Sequence, residues 1–138
     1  MGEYYEHACN KCSYFVATSG PWEFYRDDKG KREFYGYPSP LSEEAIKRGV
    51  CGMSGDLLCP HCEIVYDIIL VEFREPHADK ASAWKAYSNR DEQITSEDMT
   101  KCPRCGETDL ILEPPEGREV SCPHCKGGKL MGRKGIMI

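Results

Sequence analysis

Eight of the nine cysteines fall into four CxxC pairs: Cys9-Asn-Lys-Cys12, Cys59-Pro-His-Cys62, Cys102-Pro-Arg-Cys105 and Cys122-Pro-His-Cys125. Nothing else in the chain restricts its folds so strongly. A CxxC turn lets two thiolates converge on one ion at about 2.3 Å, while backbone N–H groups point at the sulfurs. Two such knuckles meeting face to face close a tetrahedral Cys₄ shell with no position left for substrate. Four pairs therefore predict two ions, and the fold must bring the knuckles together in twos. Cys51 stands outside any pair.

Other thiol chemistries fit less well. A c-type haem needs His directly after the second Cys, where this chain has Ser13, Glu63, Gly106 and Lys126. Bacterial-type iron–sulfur clusters need CxxCxxC runs, which do not occur. Cys-Pro-His-Cys suits a thiol oxidant when it opens a helix after a strand in an α/β fold. Here it occurs twice in a β-rich chain beside other CxxC pairs, which favours ligation.

Composition explains why metal is needed. The chain has 138 residues, of which 40% are hydrophobic and 30% charged. Split into halves, each part would bury too little surface to hold itself together and would need a staple. The start, MGEYYEHAC, shows neither a basic n-region nor an apolar h-region, and no apolar run reaches the roughly 20 residues that span a bilayer. A reducing, cytoplasmic location is the expectation, and there clustered cysteines read as ligands rather than disulfides. The net charge is −5. It is unevenly spread: residues 101–138 hold seven Lys/Arg against five Asp/Glu. That leaves a basic C-terminal segment on an acidic body.

The elements read as follows. Trp22–Arg26 and Arg32–Tyr35 flank the polar turn Asp27-Asp28-Lys29-Gly30-Lys31, a β-hairpin pattern. Ser42 caps a short helix with acids in its first turn and Gly49 past its end. Residues 64–73 are β-branched and apolar and predict a strand ended by Pro76. Residues 78–90 predict a helix with Ala81, Trp84 and Tyr87 or Ser88 on one face. Strands are expected at 109–112 and 118–120 around a Pro114-Pro115-Glu116-Gly117 turn. The fold class expected is a small β-rich, metal-stabilised protein with minor helices, α+β in that sense, comprising two zinc-ribbon-like modules joined by a helix. The boundaries expected are 1–76 for a module with an inserted aromatic hairpin, 77–100 for a helical connector and 101–138 for a C-terminal ribbon with a basic tail.

Sequential pairing of the knuckles follows from the spacing. Cys105 and Cys122 are separated by sixteen residues, which matches the C-x₂-C-x₁₅₋₂₀-C-x₂-C zinc pattern. Cys102, Cys105, Cys122 and Cys125 are then one site, and Cys9, Cys12, Cys59 and Cys62 the other. The insert between Cys12 and Cys59 adds little closure entropy, which grows only logarithmically. The competing arrangement weighed against it joins the first pair with the third and the second with the fourth.

Residues 101–125, with KCPRCG and SCPHC around a hairpin, resemble a zinc ribbon. YYEHACNKCSYF resembles the opening knuckle of rubredoxins and small regulatory zinc-ribbon proteins, although Ser13 stands where those have glycine. The resemblance covers the knuckles only. It implies two structural Zn²⁺ ions, with iron as a substitute, and leaves the role open.

Of the remaining residues, Cys51 reads as a small buried hydrophobe. His7 is a spare ligand that four cysteines make unnecessary, and His61 and His124 read as surface residues inside knuckles. Aromatics crowd residues 14–37. Trp22, Tyr25, Arg32, Tyr35 and Tyr37 form a candidate partner surface, because Tyr and Arg are enriched at interfaces. No nucleophile–base pair, phosphate loop or paired carboxylate stands out, and no small-molecule substrate is suggested. The function expected is a non-catalytic accessory or adaptor protein making protein contacts, in the form of a subunit of a larger complex among others. Two alternatives are a nucleic-acid-binding regulatory module using residues 101–138 and a rubredoxin-like electron-transfer protein.

Overall fold

A computed structural model describes residues 3–36, 41–89, 93–94, 101–113 and 120–134. Its elements are β1 (Glu3–Cys9), β2 (Phe15–Arg26), β3 (Arg32–Phe34), α1 (Glu43–Arg48), β4 (Val50–Cys59), β5 (Ile64–His77), α2 (Lys80–Asn89), β6 (Gln93–Ile94) and β7 (Leu130–Lys134). Among the described residues the strands hydrogen-bond in the order β6-β5-β4-β2-β1-β7, with β3 pairing β2.

Local chemistry accounts for several of these. The hairpin turn is held by Asp27, whose carboxylate accepts from the N–H groups of Lys29 and Lys31 at 2.9 Å each. Phe24 then faces Phe34 across the ladder. Ser42 caps α1 as expected, its hydroxyl accepting from the Ala45 N–H at 3.0 Å. Gly49 closes the helix at φ +76°. A side chain at that position would be strained by the backbone and would also run into the His77 carbonyl. Expectation and structure agree on this hairpin, this helix and the strand after Cys62. That strand runs on through Pro76 to His77.

The chain divides into two compact units that are not contiguous in sequence. The first comprises Pro21–Ser54 and Ile69–Met99, together with Met1. Its core joins Tyr35, Ala45, Val50, Met53, Val71, Phe73, Ala83 and Ala86, with Tyr25, Trp84 and Tyr87 packed against it. Arg26 clamps Glu72 in a fork, Nε to Oε2 at 2.8 Å and the second guanidinium nitrogen to Oε1 at 2.9 Å. The guanidinium holds the Glu72 carboxyl below the usual carboxylate range. The buried Glu23 carboxylate accepts from the Trp84 indole N–H at 3.1 Å.

The second unit comprises Gly2–Gly20, Gly55–Ile68 and Thr100–Ile138. Here β1 pairs β2 from Glu3↔Gly20 to Ala8↔Phe15. On its other side β1 pairs β7 from Tyr5↔Lys134 to Cys9↔Leu130. A bridge joins Leu58 to Ile111, with N–H···O distances of 2.9 Å in both directions. Segment 111–113 lies against one face of the β1–β2 pair. The His7 Nε2 hydrogen-bonds the Thr18 hydroxyl at 2.9 Å, the Thr18 hydroxyl donates to the Leu112 carbonyl, and the Tyr5 hydroxyl donates to Glu113.

Five expectations are corrected. The two units are not contiguous modules of the kind expected: β2, β4 and β5 each begin in one unit and end in the other, and Gly2–Gly20 and Gly55–Ile68 join Thr100–Ile138. Helix α2 is not a connector, since Ala83 and Ala86 are core residues of the first unit. The basic C-terminal segment is not a tail over Leu130–Lys134, where it forms the strand β7. Tyr35 is not on an outer surface: it is 3% exposed, while Phe34 beside it is 58% exposed. The hairpin is the right one, but its faces are reversed at these two positions. The ribbon strand expected at 109–112 is reduced to the single bridge at Ile111. Tyr37, the turn at 114–117 and the tail residues 136–138 lie outside the described residues.

Candidate metal centres

The second, third and fourth knuckles are built by the same turn. The N–H of Glu63 reaches the Cys59 carbonyl at 2.9 Å, that of Gly106 the Cys102 carbonyl at 3.0 Å, and that of Lys126 the Cys122 carbonyl at 3.0 Å. Closing the turn requires left-handed backbone at the residue after the second cysteine: φ is +59° at Glu63, +77° at Gly106 and +64° at Lys126. The tight turn also turns N–H groups onto sulfur. Cys9 Sγ accepts from the N–H groups of Lys11 and Cys12 at 3.3 Å each, Cys102 Sγ from Arg104 at 3.4 Å and Cys105 at 3.5 Å, and Cys125 Sγ from Gly128 at 3.3 Å.

Left-handed backbone costs a residue with a Cβ about 1–2 kcal/mol, while glycine costs roughly 0.5–1 kcal/mol in unfolded-chain entropy. Lys126→Gly is therefore expected to stabilise the metal-loaded protein by about 0.5 kcal/mol, and Gly106→Ala to destabilise it by about 1 kcal/mol. Denaturant midpoints check this, and shifts of equal sign would contradict it.

The structure brings all eight paired cysteines into two clusters, but not in the sequential arrangement. Cys9 and Cys12 meet Cys122 and Cys125, and Cys59 and Cys62 meet Cys102 and Cys105. The first pair joins the last, and the two middle pairs join each other. The reason lies in the strands. Pairing of β7 with β1 in the register Cys9↔Leu130 carries the fourth knuckle to the first. The Leu58–Ile111 bridge, one residue before Cys59, carries the third knuckle to the second. The sixteen residues between Cys105 and Cys122 therefore connect two sites instead of closing one. Both clusters belong to the second unit.

Sulfur spacing tests the fit to a metal. A tetrahedron with bonds of about 2.3 Å places its ligands about 3.8 Å apart. The separations observed are 3.6 Å for Cys9–Cys125 and 3.7 Å for Cys12–Cys122. In the other cluster they are 3.5 Å for Cys59–Cys105 and 3.8 Å for Cys62–Cys102. Disulfide sulfurs would be about 2.05 Å apart. Both clusters have the dimensions of a closed Cys₄ metal site.

Ionisation leads to the same reading. Burial opposes the Cys9 thiolate, but the N–H groups of Lys11 and Cys12 and the neighbouring thiols outweigh it and bring Cys9 down to about 6. Cys102 falls to about 6 against burial in the same way, through Cys105 and Arg104. The Tyr14 N–H favours the Cys12 thiolate, yet burial and the surrounding thiols push it up to about 12. Burial and its three neighbours push Cys62 to about 12. In each shell one thiol ionises readily and another resists, so four thiolates require a cation among them.

Side chains tie the knuckles to one another. His124 Nδ1 lies 3.2 Å from Glu63 Oε1, and its ring stacks on Tyr14 at 6.0 Å. His61 Nε2 lies 3.1 Å from both Asp109 oxygens. Gly128 passes so close to the first cluster that a Cβ there would meet Cys9 Sγ. His7 is buried on the sheet and bonded to Thr18, away from the ligand sets. Cys51 is half-buried in the first unit, its thiol directed at the Gly49 carbonyl 3.8 Å away.

The candidate partner residues do not form one outer surface. Tyr35 is core, Tyr25 packs against that core, Trp22 is half-buried, and Arg32 lies over the Phe24 ring at 5.7 Å. Sequence reasoning counts Phe15 among the aromatics at 14–37 and Met131 among the apolar residues of the basic tail, but does not bring the two together; they are 54% and 61% exposed. Both stand opposite Ala8 in the ladder, on either side of β1, and so share one face. A signal existed in Phe15, which alternates with Val16 on entry to β2. Met131 could not be placed without knowing that β7 pairs β1. Among the described residues no helix is long and apolar enough to cross a membrane. Comparison with protein-family models, curated proteins and solved structures returned no match to this chain.

Proposed function

We propose that the chain is a zinc-stabilised accessory or adaptor protein whose two Cys₄ ions hold a β-sheet surface in place for a protein partner. The observation that carries this reading is the row Phe15–Ala8–Met131. Two large apolar side chains stand in water on one face of the metal-holding unit. The opposite face of the same strands is covered by segment 111–113 through His7, Thr18 and Tyr5. A closed Cys₄ shell supplies folding free energy and no open position for substrate, which supports a non-catalytic role. Zinc is the assignment because four thiolates in a tetrahedron suit it and the sites are closed.

Phe15→Ser combined with Met131→Ser is expected to leave the metal content at two ions and the thermal midpoint within a few degrees, because exposed side chains contribute little to folding. Association with the partner recovered from native host cells by crosslinking is expected to fall by a factor of ten or more, as it does when interface anchors are removed. Unchanged association would overturn the placement of the surface. Tight, salt-dependent binding to nucleic acid would instead favour residues 101–138 as the functional element. A reversible iron-centred redox wave would favour electron transfer.

A further inference from the structure

Beside the second cysteine cluster, three donors outside either Cys₄ shell converge. His61 Nε2, a Glu107 carboxylate oxygen and an Asp109 carboxylate oxygen all lie within 4.8 Å of one another. Their placement follows from the knuckles. His61 is the third residue of Cys59-Pro-His-Cys62, and Glu107 and Asp109 leave the knuckle that ends at Cys105. The metal that joins these two turns would therefore also fix the three donors.

We propose that His61, Glu107 and Asp109 form a third site, for a divalent transition cation held with open coordination positions. The spacing suits such an ion. Metal–ligand bonds of about 2.1 Å put adjacent octahedral ligands about 3 Å apart, and His61 Nε2 already lies 3.1 Å from Asp109. A Glu107 carboxylate oxygen lies within 4.8 Å of both donors and would complete the triangle. One imidazole and two carboxylates favour a borderline cation over Ca²⁺ or Mg²⁺, which take oxygen ligands. All three residues are exposed, so the ion would exchange readily, unlike those in the thiolate shells.

A second, independent feature gives the open positions a use. His61 and Asp109 line a cavity of about 330 Å³ whose wall also includes Ser121 and Lys126. A cation at its rim with a lysine ammonium in its wall suits water or a small oxyanion as the remaining ligand. The two Cys₄ shells are closed, so this is a site of a different kind: it is accessible, and one imidazole and two carboxylates take the place of four thiolates.

The test titrates Co²⁺ into the zinc-loaded full-length protein by calorimetry, while the histidine ring resonances are followed by NMR. One further equivalent is expected to bind with paramagnetic broadening of the His61 ring. The zinc content is expected to remain unchanged, and the intense visible absorption of thiolate-bound cobalt should not appear. Asp109→Asn and Glu107→Gln are each expected to weaken binding by about tenfold or more with zinc content retained, since both positions are on the surface. Binding that is absent, or that persists undiminished in Asp109→Asn, would overturn the site. So would broadening of His124 in place of His61. If the zinc content is itself wrong, the reading of the Cys₄ shells fails first, and the metal analysis that precedes the titration reports that separately.

Discussion

Removing metal with a chelator is expected to unfold the unit that contains both Cys₄ clusters while the other unit keeps its core. A structural zinc contributes about 10–16 kcal/mol of apparent binding free energy at neutral pH, whereas a whole domain is stable by only about 5–15 kcal/mol. Both Cys₄ clusters lie in one unit, and its interior is thin. Of its largest fully buried side chains only Leu58 is aliphatic; Cys59 and Cys122 are ligands, and His7 and Thr18 are polar. The first unit instead packs Met53, Val50, Val71 and Phe73 around Tyr35. Amide exchange read after chelation should show lost protection in β1 and β7, with retained protection at Val50, Val71 and Phe73. Simultaneous loss everywhere would mean that the strands common to both units make folding a single event.

Acidification should have the same effect. Each ion needs four thiolates, so affinity falls as protons compete. The loss should be steep below about pH 6, where even the favoured thiols Cys9 and Cys102 take up protons.

The second large effect concerns which cysteines act together. Cys12→Ser and Cys122→Ser should each lower the metal content from two ions to about one, and the double variant should still hold about one. Cys12→Ser combined with Cys62→Ser should hold none, because those residues belong to different shells. Residues of one shell fail as a unit, so their losses do not add. Sequential pairing makes the opposite prediction for both double variants. Metal analysis of purified protein therefore separates the two arrangements without any structural measurement.

The ligand identities could be read from the sequence, but their partnership could not. CxxC spacing is a property of four residues, and all four knuckles formed as that spacing requires. Pairing depends on which strands neighbour each other, and the two decisive contacts are weakly encoded. Leu130–Lys134 reads as a basic segment with two apolar residues, yet it is the strand that seats Cys122 and Cys125 against Cys9. Ile111 sits in a strand-like run, but its partner Leu58 lies in β4, where Gly52 and Gly55 obscure the pattern. Spacing argued for the shorter closures, and that argument carried little energy. Going from sequential to nested closure costs only about 1.5 kcal/mol in loop entropy, far less than one ion contributes. Tyr35 went astray for a related reason. Period-2 alternation showed that Phe34 and Tyr35 face opposite ways, but not which way the core lay. Ser42, Gly49 and Asp27 were read correctly because capping and turn chemistry act within a few residues.

Nested ligation also imposes an order of events on a chain made from its N-terminus. Cys62 and Cys102 are 40 positions apart, whereas Cys12 and Cys122 are 110 apart. At about 5–20 residues per second, the inner shell is complete while the outer one still lacks half of its donors. Cys9 and Cys12 then wait on the order of 5–20 seconds after they appear, as two accessible thiols on a finished turn, before their counterparts arrive. During that interval they are open to oxidants and to capture of stray soft ions. A nascent chain halted between Cys105 and Cys122 would carry one filled shell and one half-shell, an intermediate that a quality-control protease or a metal-delivery factor could tell from the finished protein.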